Sequence, residues 1–164
     1  MIAFKHSFVK TPYGSALIGI NEGRVCSFLF LTGEKEKILN FFHKKFLNSV
    51  EVVSQEFQEF ADAIFKNRTK FLEKSVPNIV LYGTEFQKKV WIELAKLHEV
   101  ISYQELAKRI GAEKSVRAVA SAVAKNPIHY AIPCHLVIKS CGSIGKYAGG
   151  VELKQRLIAD SNGL

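Results

Sequence analysis

Cysteine is scarce in this chain. Cys26, Cys134 and Cys141 are too few and odd in number for a disulfide framework, and their spacing is not that of a zinc site. A reducing compartment and at least one free thiol follow, so the expected location is cytoplasmic. Long apolar runs are also missing. None reaches membrane-spanning length, and the opening Met1-Ile2-Ala3-Phe4-Lys5-His6 lacks the apolar core of a signal peptide, so no membrane role is expected. Repeats and low-complexity tracts are absent. Acidic residues are outnumbered, 15 against 23 Lys and Arg, which leaves a formal charge of +8. From Thr84 onward the count is 12 basic to 7 acidic, so the excess leans toward the second half. Such a surplus suits a polyanion, because Lys and Arg gain affinity by releasing phosphate counterions, but charge alone does not separate nucleic acid from simple solubility.

What is present suffices for a globular protein. The 164 residues can bury a core as one domain or two small lobes, and 48% hydrophobic residues is an ordinary share for that class. The periodicities predict an α+β chain. Ile2 to Val9, Ala16 to Ile20 and Val25 to Leu31 alternate as strands. Thr11-Pro12-Tyr13-Gly14 and Asn21-Glu22-Gly23 supply the turns of an antiparallel meander. Two amphipathic helices follow, Glu34 to Leu47 with Ile38, Phe41, Phe42 and Phe46, and Gln55 to Lys66 with Phe57, Phe60, Ala61, Ile64 and Phe65. Ser75-Val76-Pro77-Asn78 is the expected boundary. It separates an N-terminal α/β lobe (1–77) from a mainly helical lobe (78–164), with a short strand at Ile79 to Tyr82.

In the second lobe Thr84 caps a helix to about Leu97, with Phe86, Val90, Trp91, Leu94 and Leu97 inward. Ser102 and Glu105 have the spacing of a capping box, opening a helix that Gly111 ends. Ser115 is expected to cap the next helix, Val116 to Lys125. Two short helices across a glycine turn form a helix-turn-helix. Val116, Val119, Ala120 and Val123 make the inner stripe of the second. The outer face of Arg117, Ala118, Ser121 and Ala122 is small enough to lie close to a partner. Asn126-Pro127 stops this helix, and a closing helix is expected from Glu152 to Ala159.

Ile132-Pro133-Cys134-His135-Leu136-Val137 puts a thiol beside an imidazole within an apolar run. Most cysteines in such runs are inert core residues, and neighbours on a strand point to opposite faces. A functional thiol needs its thiolate favoured by a nearby donor or cation. Gly145-Lys146-Tyr147-Ala148-Gly149-Gly150 is glycine-rich but lacks the lysine followed by Ser or Thr of a phosphate-cradling loop.

Pro133-Cys134-His135 with Val137 resembles the active-site motif of the O6-alkylguanine-DNA alkyltransferases, the methylated-DNA–protein-cysteine methyltransferases. The likeness continues in order through Gly83-Thr84-Glu85-Phe86-Gln87, Val90-Trp91, Ile101-Ser102-Tyr103-Gln104-Glu105-Leu106-Ala107, Arg117-Ala118-Val119, Asn126-Pro127 and Tyr147 with Gly149-Gly150. It runs from about Gly83 to Ile158; the N-terminal lobe matches only in layout. The resemblance implies direct-reversal DNA repair. O6-alkylguanine (chiefly O6-methylguanine, also O4-methylthymine) would be flipped from duplex DNA and its alkyl group transferred irreversibly to Cys134. His135 would help deprotonate the thiol through a water, and Asn126 would brace the turn before the active site. Tyr103 would protonate the leaving guanine. Arg117 would fill the vacated base stack, with Ser115, Ala118, Ser121 and Ala122 in the minor groove. Val137, Tyr147 and Ala148 would read the flipped base, and Gly145 would leave room for the alkyl group; His129 and Tyr130 are expected along the approach.

Three departures accompany the likeness. Leu136 stands where the family usually has Arg. The position of a histidine-bonding Glu is taken by Ser161 beside Asp160, and Asp160 is expected to serve in its place. His6, Cys26 and His43 do not match the structural zinc set of some relatives, so no metal and no cofactor are expected. The expected partner is double-stranded DNA, met as a monomer with no obligate protein partner. A lesion sensor is disfavoured because such relatives lack the cysteine. A transcription regulator is disfavoured because its extra zinc domain is missing, and a Cys-His hydrolase has no other support in the chain.

Overall fold

The computed structural model describes residues 4–73 and 78–162. The chain divides into two compact units, residues 1–81 with 127–131, and 82–126 with 132–164. The division therefore falls after Leu81 rather than after Pro77, and a later stretch of five residues belongs with the first unit. Residues 74–77, where the boundary was expected, lie outside the described part.

In the first unit β1 (Lys5–Thr11), β2 (Gly14–Asn21) and β3 (Arg24–Phe30) form the expected meander. The β2–β3 link is a two-residue turn with φ +49° at Glu22 and +74° at Gly23, the left-handed pair that matches strand twist. The short β4 (Val50–Glu51) adds in parallel to β1, giving the order β3-β2-β1-β4. Helices α1 (Lys35–Lys45), α2 (Gln55–Lys66) and the single turn α3 (Arg68–Phe71) complete the unit. Phe42, Phe57, Ala61, Ile64 and Phe71 are buried, whereas Phe41 is 55% exposed and so lies off the inner stripe of α1.

Ile79 makes a single bridge to Val25 in place of the expected strand to Tyr82. Ile128 makes a second bridge, to Phe28, where the Phe28 amide donates to Pro127 O at 2.8 Å and the His129 amide to Phe28 O at 2.7 Å. The same excursion is held by the Phe30 amide donating to His129 Nδ1 (3.2 Å), by Arg68 Nη1 donating to Ala131 O (3.3 Å), and by Tyr130 stacked on Phe65 with ring centroids 4.3 Å apart. His129 and Tyr130 thus serve the first unit's core.

The second unit is helical apart from a two-stranded parallel pair, β5 (Ile101–Ser102) with β6 (Val137–Ile138). Helix α4 (Glu85–Ala95) opens with a full capping box between Thr84 and Gln87. Its Val90, Trp91 and Leu94 are buried; Phe86, expected inward, is 36% exposed. A Cβ on Gly83 would lie 2.6 Å from the Trp91 ring, so glycine is required there. Helix α5 (Tyr103–Arg109) is capped by Ser102, which accepts from the Glu105 amide at 3.0 Å. The reciprocal half of the expected box is replaced: Glu105 accepts from Arg109 Nε at 3.1 Å. Gly111 has φ +71°, and the Ala112 amide donates back to Ala107 O, a Schellman ending. One 3₁₀ turn (Glu113–Ser115) then leads into α6 (Val116–Ala124). Ser115 starts that helix without a side-chain capping bond, contrary to expectation. Trp91 Nε1 donates to Ala122 O at 2.8 Å, locking α4 to α6. The closing helix α7 spans Val151–Asn162.

Candidate active site

Cys134, His135 and Leu136 form a single 3₁₀ turn after Pro133, not a strand. The alternation that would separate thiol and imidazole therefore does not apply. All three are buried, at 5%, 2% and 3% exposure. Leu136 is accommodated as an apolar core residue, so the expected arginine position carries no charge here. The turn is anchored at its start by Asn126, whose Nδ2 donates to Ile132 O at 2.7 Å. The chain leaves the second unit after Asn126 and re-enters at Ile132, so this bond closes the gap.

Burial pushes the Cys134 thiol above its ordinary pKa. In order of size it is opposed by a hydrogen bond from Asn126, the charge of Lys154, a backbone hydrogen bond and the Tyr147 phenol. Lys154 went unrecognised in the sequence. It is fully buried, its Nζ donates to Val137 O at 2.6 Å, and it sits 5.9 Å from the Tyr103 ring centroid. Burial pulls its ammonium down and Cys134 pushes it back up. The signal was present in the spacing: Lys154, Leu157 and Ser161 follow i, i+3, i+7, so a lysine occupies the inner stripe of α7. Tyr103 and Tyr147 both have raised pKa values, first from burial and then from Cys134, so both phenols stay protonated. Gly145, at φ +77°, has Lys139 and Tyr103 as the nearest neighbours of any added Cβ. Val137 is buried and Ala148 exposed.

The contact to His135 differs from the one expected. Ser161 Oγ lies 3.5 Å from His135 Nε2 and donates to Leu157 O at 2.8 Å. Asp160 is the exposed neighbour, so the position facing the imidazole is that of Ser161. Ser115, just before α6, and Arg117, Ala118 and Ser121 on it are exposed. Ala122 is 3% exposed and turned toward the core, which removes it from that surface. Among the described residues, no group of three or more His, Cys, Asp or Glu side chains could hold a metal, and no helix is long and apolar enough to cross a membrane.

The thiol is thus buried and feels an amide donor, an ammonium and the phenol of Tyr147, the surroundings that a functional thiol needs. Comparison with known proteins identifies a family. The family model "6-O-methylguanine DNA methyltransferase, DNA binding domain" matches residues 85–162. The methylated-DNA–protein-cysteine methyltransferase of Kluyveromyces lactis is 50% identical over 80 residues, 48% of this chain and 42% of that one. The enzyme of the same name from Methanosarcina mazei is 35% identical over 93% of this chain and 94% of its own length. The chain belongs to the methylated-DNA–protein-cysteine methyltransferases. The fold of this methyltransferase family is matched along nearly the whole chain. The Mycobacterium tuberculosis OGT structure in complex with DNA superposes with a TM-score of 0.76 at 24% identity, covering 97% of this chain and 93% of that one.

Proposed function

We propose that this chain repairs alkylated DNA by direct reversal, taking O6-alkylguanine, chiefly O6-methylguanine and also O4-methylthymine, out of duplex DNA. The Cys134 sulfur attacks the alkyl carbon, a C–S bond forms, the O6–carbon bond breaks, and guanine leaves with the electron pair. The thiol proton passes through a water to His135, and Tyr103 supplies a proton to the departing base. The thioether formed is not reversed, so each molecule acts once. The observation that carries this reading is the pairing, in one unit, of a 5% exposed nucleophile with an exposed Arg117 at the start of α6. A buried thiol reaches an O6 substituent only if the base leaves the stack. Arg117 would hold the vacated space, while Ser115, Ala118 and Ser121 let the helix backbone approach the minor groove. Val137, Tyr147 and Ala148 would contact the extruded base, and Gly145 would leave space for its alkyl group. Double-stranded DNA is the partner, met by a monomer; the solution of the M. tuberculosis structure in complex with DNA supports DNA as the partner class.

Incubation with duplex DNA carrying O6-methylguanine, followed by intact mass, tests the proposal. One methyl per chain on Cys134, lost in Cys134→Ser, is expected. Binding without mass gain would instead mark a lesion sensor and overturn the transfer step.

A further inference from the structure

Two side chains face the point that a Cβ on Gly145 would occupy. Lys139 Cγ and Cε lie 3.6 and 3.7 Å from it, and Tyr103 Cε2 lies 3.9 Å away. The Lys139 stem and the Tyr103 ring therefore border the same gap beside Gly145. The root of that stem is fixed. Lys139 follows β6 directly, its amide donates to Ser143 O and its carbonyl accepts from the Gly142 amide, both at 2.9 Å. The head is unclaimed: Lys139 is exposed, and among the described residues its ammonium has no ion pair. The sequence holds no Asp or Glu between Glu113 and Glu152, so this stretch brings no carboxylate of its own. We propose that Lys139 is a specificity residue for the alkyl group, favouring O6 substituents that end in a carboxylate, such as carboxymethyl, over neutral ones of the same size.

This rests on the transfer reaction proposed above, with Gly145 at the edge of the alkyl space. The step itself is the same. The Cys134 sulfur attacks the methylene carbon, a C–S bond forms, the O6–carbon bond breaks, and guanine leaves with the electron pair. The carboxylate stays on the sulfur as S-carboxymethylcysteine. A carboxylate beside the reacting carbon repels the incoming thiolate, and a cation facing it offsets that repulsion. An ammonium gives a methyl group nothing to bond to, whereas it forms a charge-assisted hydrogen bond with a carboxylate. Selectivity then comes from a charge that one substituent meets and the other does not.

Three duplexes test the preference, carrying O6-methylguanine, O6-carboxymethylguanine or O6-carbamoylmethylguanine. The last is a neutral amide of the same shape as the second. Transfer rates are read by intact mass for the full chain and for Lys139→Met and Lys139→Arg. Lys139→Met should slow carboxymethyl transfer about fivefold more than transfer of either neutral group, the size of an exposed ion pair. Lys139→Arg, which keeps the charge, should restore most of that loss. Added salt should shrink the wild-type preference toward that of Lys139→Met. Equal slowing of all three groups in Lys139→Met, the sign of a contact to the DNA backbone, overturns the proposal. So does equal slowing of carboxymethyl and carbamoylmethyl against methyl, which marks shape rather than charge. Both of those outcomes leave the repair reading standing. Transfer of no group by the wild type overturns that reading and the preference together.

Discussion

Burial disfavours a thiolate at Cys134, and three neighbours work against that effect. Lys154 contributes through charge, so its removal should act on the thiol and not only on packing. Lys154→Met is expected to move thiolate formation to higher pH and to slow methyl transfer at neutral pH at least about tenfold. Thiolate absorbance against pH, read beside the transfer rate, checks both. Asn126→Ala should do two things at once. It removes the hydrogen bond that lowers the Cys134 pKa and one of two donors to Ile132 O, the Cys134 amide remaining at 2.8 Å, costing about 1 kcal/mol of stability; chemical denaturation and transfer kinetics on the same variant separate the two effects. At this scale the Cys134–His135 pair, Asn126 and Tyr103 could be named from the chain itself because they are recognisable as a motif. Lys154 could not, because a lysine in a helix reads as solvent-facing until the helix's inner face is fixed by its neighbours. The choice between Asp160 and Ser161 needed the rotation of α7, which one residue of sequence does not determine.

Helices α4, α5 and α6 were legible through their apolar stripes and caps, and small errors followed from treating a stripe as a plane. Ala122 shows this: it is buried where α6 meets α4 and Trp91 reaches its carbonyl, a contact between distant segments. The 3₁₀ turn at Cys134–Leu136 was illegible for a related reason, since an apolar run with β-branched residues after it reads as a strand. For α6, Arg117→Ala should weaken repair of duplex DNA much more than reaction with free O6-benzylguanine; equal losses on the two substrates would remove the base-stack role. For α4, Gly83→Ala should destabilise the protein by about 1–3 kcal/mol, because the new methyl meets the buried indole of Trp91. Thermal melting measures it directly.

The whole chain should show an acid-side weakness. His129 is fully buried and accepts from the Phe30 amide, and burial holds its pKa down at about 4 against 6.5 for an ordinary imidazole. Between those values the unfolded chain binds the extra proton. Stability is complete above about pH 6.5 and declines toward pH 4, by roughly 3 kcal/mol. Urea midpoints at pH 7 and pH 4.5 should differ accordingly, and His129→Gln should flatten the difference.

The excursion of residues 127–131 has a consequence for biosynthesis. Phe28 leaves the ribosome about a hundred residues ahead of Ile128, its bridge partner. At ordinary elongation rates the outer side of β3 waits roughly 5 to 20 s for that partner. Through this interval a nascent chain can pair that strand edge only at Val25, through Ile79, and the turn bearing Cys134 emerges only after the rest of the edge has its partner. The turn bearing Cys134 is therefore made after the late segment of the first unit's sheet, and α7, which brings Lys154 to the thiol, follows both.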